Sequence, residues 1–321
     1  MITVTGEALI DLVIDGDGCP RPRPGGGPFN TARTIGRLGL APAFLGRLSR
    51  DGFGDQLRTR LDQDGVTLAV PQLSDAPTTL AVVDIDTAGA PRYRFYLTGT
   101  SSAALEYPLL TAALPDGMTT LHAGTLALVM EPIATSIERL ITTGLPPDTL
   151  VMIDPNCRPG AIANKLTYQA RLSRLLHRAD VVKVSVEDLA YLYPGATARS
   201  AAATVLGQGA RLVLVTDGPR PARAFLPGQE LSVDVPAVHV VDTIGAGDAF
   251  GGAFLAWWSG NELTKSDLQR PGAVRGALRA AAEVASLTCT RAGAEPPWLD
   301  ELAGKPGWDA DPGPRRRQPV P

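Results

Sequence analysis

The run Val241-Asp242-Thr243-Ile244-Gly245-Ala246-Gly247-Asp248-Ala249-Phe250-Gly251-Gly252 combines spaced glycines, a carboxylate and the start of an apolar segment. Gly245 and Gly247 let the backbone N–H groups around Ala246 converge on one point without obstruction by a Cβ. Residues 250–258 have helical character, so these amides fall at a helix N-terminus. Unpaired donors and a partial positive charge there suit an anion such as a transferring phosphoryl group. Asp248, in the first turn, is placed to take the proton from a hydroxyl attacking that phosphorus. A chain turn whose acid merely complements the helix dipole uses the same residues.

Other polar residues stand where strands are expected to end. Residues 2–5 read as a buried strand, and Asp11 in the following Gly6-Glu7-Ala8-Leu9-Ile10-Asp11 is a candidate acceptor for ligand hydroxyls at the carboxyl end of a sheet. In Gly25-Gly26-Gly27-Pro28-Phe29-Asn30, the glycines Gly25 and Gly26 admit a small polar ligand close to the backbone. Asn30 offers donors and an acceptor that suit a polyol. The spacing is not the G-x-G-x-x-G of a dinucleotide site. Asn156 and Arg158 follow a strand at 149–153, where a guanidinium fork can bind phosphate. Ser185 and Asp188 are close to a capping box, which needs no catalytic purpose.

The elements that must position these residues alternate. Strands are expected at 119–123, 149–153, 180–184 and 211–216 and helices at 131–143 and 165–177. This is the pattern of a Rossmann-like α/β fold, a doubly wound and mostly parallel sheet. A helix over 53–64 has Asp51 as N-cap and Gly65 as its stop. The alternating runs 79–84 and 92–97 form a hairpin across 87–91 that interrupts the β-α rhythm, while 16–24 is too rich in Gly and Pro to be a helix.

With 321 residues, 44% hydrophobic and 20% charged, the chain fits one large α/β domain over 1–303 with a small appendage, followed by a flexible tail over 304–321. A net charge of −3 offers no basic footprint for nucleic acid or an anionic membrane, so small-molecule partners are expected. Cys19, Cys157 and Cys289 lack metal-ligand spacing and suit a reducing compartment. With no membrane-length apolar run and no signal-peptide pattern, a cytoplasmic location is expected.

Asp242 to Asp248 reads D-T-x-G-A-G-D and so resembles the C-terminal signature of the PfkB/ribokinase family of carbohydrate kinases. Gly25-Gly26-x-x-x-Asn30-x-Ala32 and Gly46-x-x-x-x-Asp51-x-Phe53-Gly54 resemble its N-terminal signature, and Asp154-x-Asn156-x-Arg158 its D-x-N-x-R segment. The resemblance covers roughly 1–300 and looks most like fructokinases, with ribokinases and 2-keto-3-deoxygluconate kinases behind. It implies Mg-ATP-dependent phosphorylation of a sugar hydroxyl with Asp248 as base, Gly245, Ala246 and Gly247 as anion hole, and Asp11, Gly25, Gly26 and Asn30 on the sugar. It also implies a small β lid formed by about 12–24 and 79–97, with Arg94 and Tyr96 overhanging the sugar and a homodimer through the lid left open. Ser185 and Asp188 replace the family's N-x-x-E, with Asp188 as an outer-sphere magnesium residue and Glu187 as the alternative carboxylate. Thr216 and Gly218 match a nucleotide loop whose last glycine is here Pro221, and the helix over 274–288 would wall the adenine pocket. Potassium beside Asp242 and Ile244 is a family implication alone. A non-catalytic sugar or nucleotide sensor is the competing class, and it predicts damage to the base or anion hole, both of which are intact.

Overall fold

The computed structural model describes residues 1–14, 19–85 and 91–308. The elements in chain order are β1 Ile2–Thr5, β2 Leu9–Ile14, β3 Pro20–Gly25, α1 Gly27–Arg37, β4 Ala43–Leu45, α2 Gly52–Gln63, β5 Thr67–Leu68, β6 Thr79–Ile85, β7 Pro91–Tyr96, α3 Tyr107–Ala112 and β8 Thr120–Gly124. They continue with α4 Ile133–Arg139, β9 Leu150–Asp154, α5 Lys165–Leu176, β10 Val181–Ser185, α6 Val186–Leu192, α7 Ala198–Gly207, β11 Leu212–Asp217, β12 Arg220–Leu226, β13 Gln229–Val233, α8 Ala246–Gly260 and α9 Pro271–Thr288.

A nine-stranded sheet runs in the order β13-β12-β11-β10-β9-β8-β1-β4-β5. Its pairs are parallel from β11 to β5, and β12 and β13 extend it antiparallel. From β1 the chain first moves outward to β4 and β5, then returns to β8 on the other side of β1. The strand order therefore reverses between β1 and β8, which opens a crevice at their carboxyl ends. Buried apolar residues of α1, α2, α8 and α9 cover one face, and those of α4, α5, α6 and α7 the other.

A separate four-stranded sheet, β3-β2-β6-β7, is the lid expected from sequence. It starts at Leu9 rather than at residue 12, because Leu9 and Ile10 already pair with Gly25 and Pro24 on one side and Thr79 and Leu80 on the other. Asp11 thus lies within a lid strand. The Pro-rich segment forms β3, an edge strand in which Pro20, Pro22 and Pro24 recur at every second residue, so pairing with β2 needs N–H groups of the other parity only. Residues 15–18 and 86–90, the tips of the expected lid segments, lie outside the described residues.

The α2 helix has the expected Asp51 cap, whose side chain accepts from Gly54 N at 2.8 Å, and Gly65 follows it at φ +72°. The antiparallel β12–β13 hairpin was not expected. Pro221 lies in β12 opposite a bulge between Val215 and Asp217, where ladder pairing is interrupted. The tail expected from 304 is docked as far as Trp308, with Trp257 Nε1 donating to Gly307 O at 2.7 Å and Trp308 Nε1 to Ala280 O at 3.1 Å. Residues 309–321 lie outside the described residues.

A buried ion network fixes α1. Arg33 and Arg37, one helical turn apart, both hold Asp64 at the end of α2, at 2.5 and 2.8 Å, and both pair with Glu295. Their remaining donors reach Ala294 O and Pro296 O at 2.8 and 2.7 Å. Arg33 and Asp64 side chains are each 1% exposed, so removing one charge strands the others in a medium that solvates them poorly. Asp64→Ala is expected to lower the unfolding free energy by about 3–5 kcal/mol in urea denaturation. A loss below about 1 kcal/mol would show that the network is not needed.

Candidate active site

The N-terminus of α8 lies over the crevice. Gly245, at φ +76°, is its N-cap, and a Cβ there would fall 2.4 Å from Ala294 Cβ, so this turn admits only glycine. The 294–296 segment packed against it is the one held by Arg33 and Arg37. Asp248 is 8% exposed, and its Oδ2 accepts from Asn30 Nδ2 at 2.9 Å across 218 residues of chain. The Thr31 hydroxyl donates to Asp248 O at 3.3 Å, a second link from α1 to α8.

Asp11 approaches from the lid. A Cβ on Gly25 would fall 2.2 Å from Asp11 Oδ2, and one on Gly27 would fall 3.2 Å from Asp248 Oδ1. The two carboxylates therefore flank the backbone of residues 25–27, whose middle member, Gly26, has φ +108° and lies against Glu7 O. Arg158, at the end of the β9 loop, is coupled electrostatically to both Asp11 and Asp248 and donates to Asn156 Oδ1 at 2.5 Å. Asn156 (φ +35°) and Thr125 (φ +58°), after β9 and β8, are two of the described non-glycine residues with positive φ; both flank this crevice.

Farther along the same sheet edge, Ser185 and Thr216 are cross-strand partners at the ends of β10 and β11, and Gly218 beyond them faces open space. Asp188 completes a capping box with Ser185, and its Oδ1 also accepts from Cys157 N at 2.6 Å. Asp242 accepts from Ile244 N at 3.0 Å and Gly293 N at 2.8 Å, and Arg23 of the lid lies 3.5 Å from it.

Arg94 and Tyr96 are not brought to this cluster. Asp11 is in register with Ala81 and Ala81 with Phe95, so Phe95 shares the face of Asp11 while its neighbours Arg94 and Tyr96 point from the other face, exposed. Residues without an assigned role in the sequence also enter. Glu7 accepts from Gly27 N at 3.3 Å, from Ala127 N at 2.9 Å and from the Thr125 hydroxyl, and thereby ties the glycine segment to the β8 loop. Lys183 of β10 is buried and meets Asp154 Oδ2 at 3.0 Å. A lysine within the apolar strand Val181-Val182-Lys183-Val184 was the available signal.

The family model for pfkB family carbohydrate kinases matches residues 1–301. This chain belongs to that family. It is 34% identical over 263 residues to a fructokinase of Rhizobium leguminosarum bv. trifolii, covering 80% of this chain and 79% of the relative. A crystal structure of fructokinase with bound ATP from Xylella fastidiosa superposes with a TM-score of 0.82 at 30% identity, covering 91% of this chain and 93% of that one. A fructokinase double mutant from Vibrio cholerae O395, with fructose, ADP and potassium ion bound, gives a TM-score of 0.78 at 28% identity, over 91% and 93% of the two chains. No helix among the described residues is long and apolar enough to cross a membrane.

The carbohydrate kinase concentrates acidic groups at this site, and burial sets their behaviour. Desolvation raises Glu7 to about 7, Asp11 to about 6 and Asp154 to about 6, with Asp248 adding repulsion in each case. Asp248 is itself raised by burial, against which Asn30, Lys183 and Arg158 act. A carboxyl whose value is higher folded than unfolded binds protons more tightly in the folded state. Its contribution to stability is therefore complete below the unfolded value and is lost as pH rises through the folded value. For Asp11 the window runs from 3.8 to about 6. Asp11→Asn removes this dependence, so between pH 4 and pH 7.5 its unfolding free energy should change relative to wild type by up to about 3 kcal/mol in the favourable direction. Parallel pH dependences in urea titrations of the two proteins would contradict the placement of Asp11.

Proposed function

We propose that this chain transfers the terminal phosphoryl group of ATP to a hydroxyl of fructose. The observation that carries this reading is the pair of carboxylates, Asp11 and Asp248, flanking the backbone of residues 25–27 at the N-terminus of α8. One can accept a proton from the attacking hydroxyl while the other holds a neighbouring hydroxyl. The relatives named above support the choice of fructose and ATP.

Asp248 is the general base, and Asn30 orients its carboxylate through the 2.9 Å hydrogen bond. The amides at 245–247 receive the phosphoryl group, with the dipole of α8 behind them. Asp11, Gly25, Gly26 and Asn30 line the sugar, and Asn156 and Arg158 face the transferred group from the β9 loop. Thr216, Gly218 and Ser185 line the nucleotide side. Closing the lid over the sugar excludes water that would otherwise take the phosphoryl group.

Among the described residues no three His, Cys, Asp or Glu side chains cluster as a metal-ligand set. That fits Mg2+, which is commonly held by one or two carboxylates, water and substrate phosphates. Asp188 is the nearest such carboxylate in the family pattern, and the ion supplies charge neutralisation on the phosphates when bound. At the potassium position Asp242 already faces Arg23, so a monovalent cation there would share its carboxylate with a guanidinium.

Ribose and 2-keto-3-deoxygluconate are the alternative acceptors, and a sensor without turnover is the alternative of another class. Sugar-stimulated ADP release should be fastest with fructose, and Asp248→Asn should lower turnover by roughly 10²–10⁴ while leaving sugar and ATP binding in place. Near-normal turnover in that variant would remove Asp248 from the mechanism. Preference for another sugar would reject fructose, and no stimulation by any would favour the sensor.

A further inference from the structure

Arg23 belongs to the lid, yet its side chain reaches the large domain. It stands on β3 directly opposite Asp11 in the β2–β3 ladder, and its Nη1 lies 3.5 Å from Asp242 Oδ2. The stem runs along the 293 backbone: a Cβ on Gly293 would fall 3.7 Å from Arg23 Nη1 and 4.0 Å from its Cδ. The guanidinium thus bridges the strand that carries Asp11 and the loop that leads into α8, and it also favours the ionised form of Asp11.

Asp242 is the staple of that loop. Its Oδ1 accepts from Ile244 N at 3.0 Å and its Oδ2 from Gly293 N at 2.8 Å, which ties the turn before Gly245 to the segment packed against it. The family resemblance puts a monovalent cation beside Asp242 and Ile244, where such an ion needs a set of free oxygens to replace its water. The oxygens here are committed. Both carboxylate oxygens of Asp242 hold amides, Oδ2 also faces Arg23, and the neighbouring carbonyl of Cys289 accepts from Val241 N and Asp242 N at 2.8 and 3.2 Å. Two cations on one carboxylate repel each other, so the guanidinium and a bound ion compete for this place.

We propose that Arg23 is the cation of this site: carried in by the lid, its guanidinium takes the place of a monovalent ion at Asp242 and, as a positioning residue, steadies the anion-hole turn, so that turnover does not require potassium. This rests on the kinase reading of the site. It also makes the turn that receives the phosphoryl group sense the strand that holds the sugar, since one side chain touches the first and stands opposite Asp11 on the second.

The test compares potassium chloride with tetramethylammonium chloride at equal ionic strength, with fructose and ATP both saturating, so that an effect of Arg23 on sugar affinity through Asp11 is set aside. Wild-type kcat should agree in the two salts to within about twofold. Arg23→Met keeps the apolar stem and loses the charge. Its kcat in tetramethylammonium should fall about fivefold, the order of one partly exposed ion pair, and potassium should restore it. Without substrates, potassium should raise the melting temperature of Arg23→Met by about 2 °C and leave that of the wild type unchanged. Potassium stimulation of the wild type beyond about twofold, an undiminished kcat in Arg23→Met, or a loss that potassium does not restore overturns the proposal and leaves the kinase reading intact. Absence of sugar-stimulated turnover in the wild type instead removes the kinase reading; the melting temperatures then still decide whether Arg23 excludes the ion, and a potassium shift in the wild type overturns that claim too.

Discussion

The structure depends on holding one buried carboxylate, Asp248, at the start of a helix with one of its oxygens engaged by Asn30. That hydrogen bond joins α1 to α8, helices from opposite ends of the chain that cover the same face of the sheet. Its geometry is only as firm as the seating of α1. The Arg33 and Arg37 network supplies that seating, and the same two guanidiniums brace the 294–296 segment beneath Gly245. The helix that carries Asn30 and the turn at Gly245 therefore share one buried support.

Charge is the second constraint. Glu7, Asp11, Asp154 and Asp248 are all pushed towards their protonated forms by burial, yet a kinase brings a polyanion to the same place. The compensation is graded. Asn30, Lys183 and Arg158 act on Asp248, and Arg158 and Arg23 act on Asp11. Glu7 spends its lone pairs on Gly27, Ala127 and Thr125, so its acidity serves loop geometry. The positive φ of Thr125 is a strain that this hydrogen bonding helps to hold.

Much of this was legible in the chain. The D-T-x-G-A-G-D run, the glycine-rich segment with Asn30 and the alternation after residue 119 are local patterns, and local patterns survive without a fold. Three features were not local. Which face of the lid carries Asp11 depends on the register linking Asp11, Ala81 and Phe95, and Arg94 and Tyr96, expected to overhang the sugar, stand on the other face of a strand whose existence was read correctly. The β12–β13 hairpin adds antiparallel strands to a parallel sheet, which the β-α rhythm does not announce. Lys183 and Glu7 acquire meaning only when β10 passes under α8 and the β1 end meets the β8 loop. The Pro-rich segment read as merely non-helical is a strand because its prolines keep one parity on a sheet edge.

The central claim is that Asp248 and the N-terminus of α8 meet the two reacting partners at once. A crystal structure with fructose and a non-hydrolysable ATP analogue tests this most directly. The expected result is a fructose hydroxyl oxygen about 2.6–3.2 Å from the Asp248 carboxylate, a second hydroxyl on Asp11, and the terminal phosphate against the amides at 245–247. Fructose bound away from these carboxylates, or a terminal phosphate distant from α8, would contradict the account.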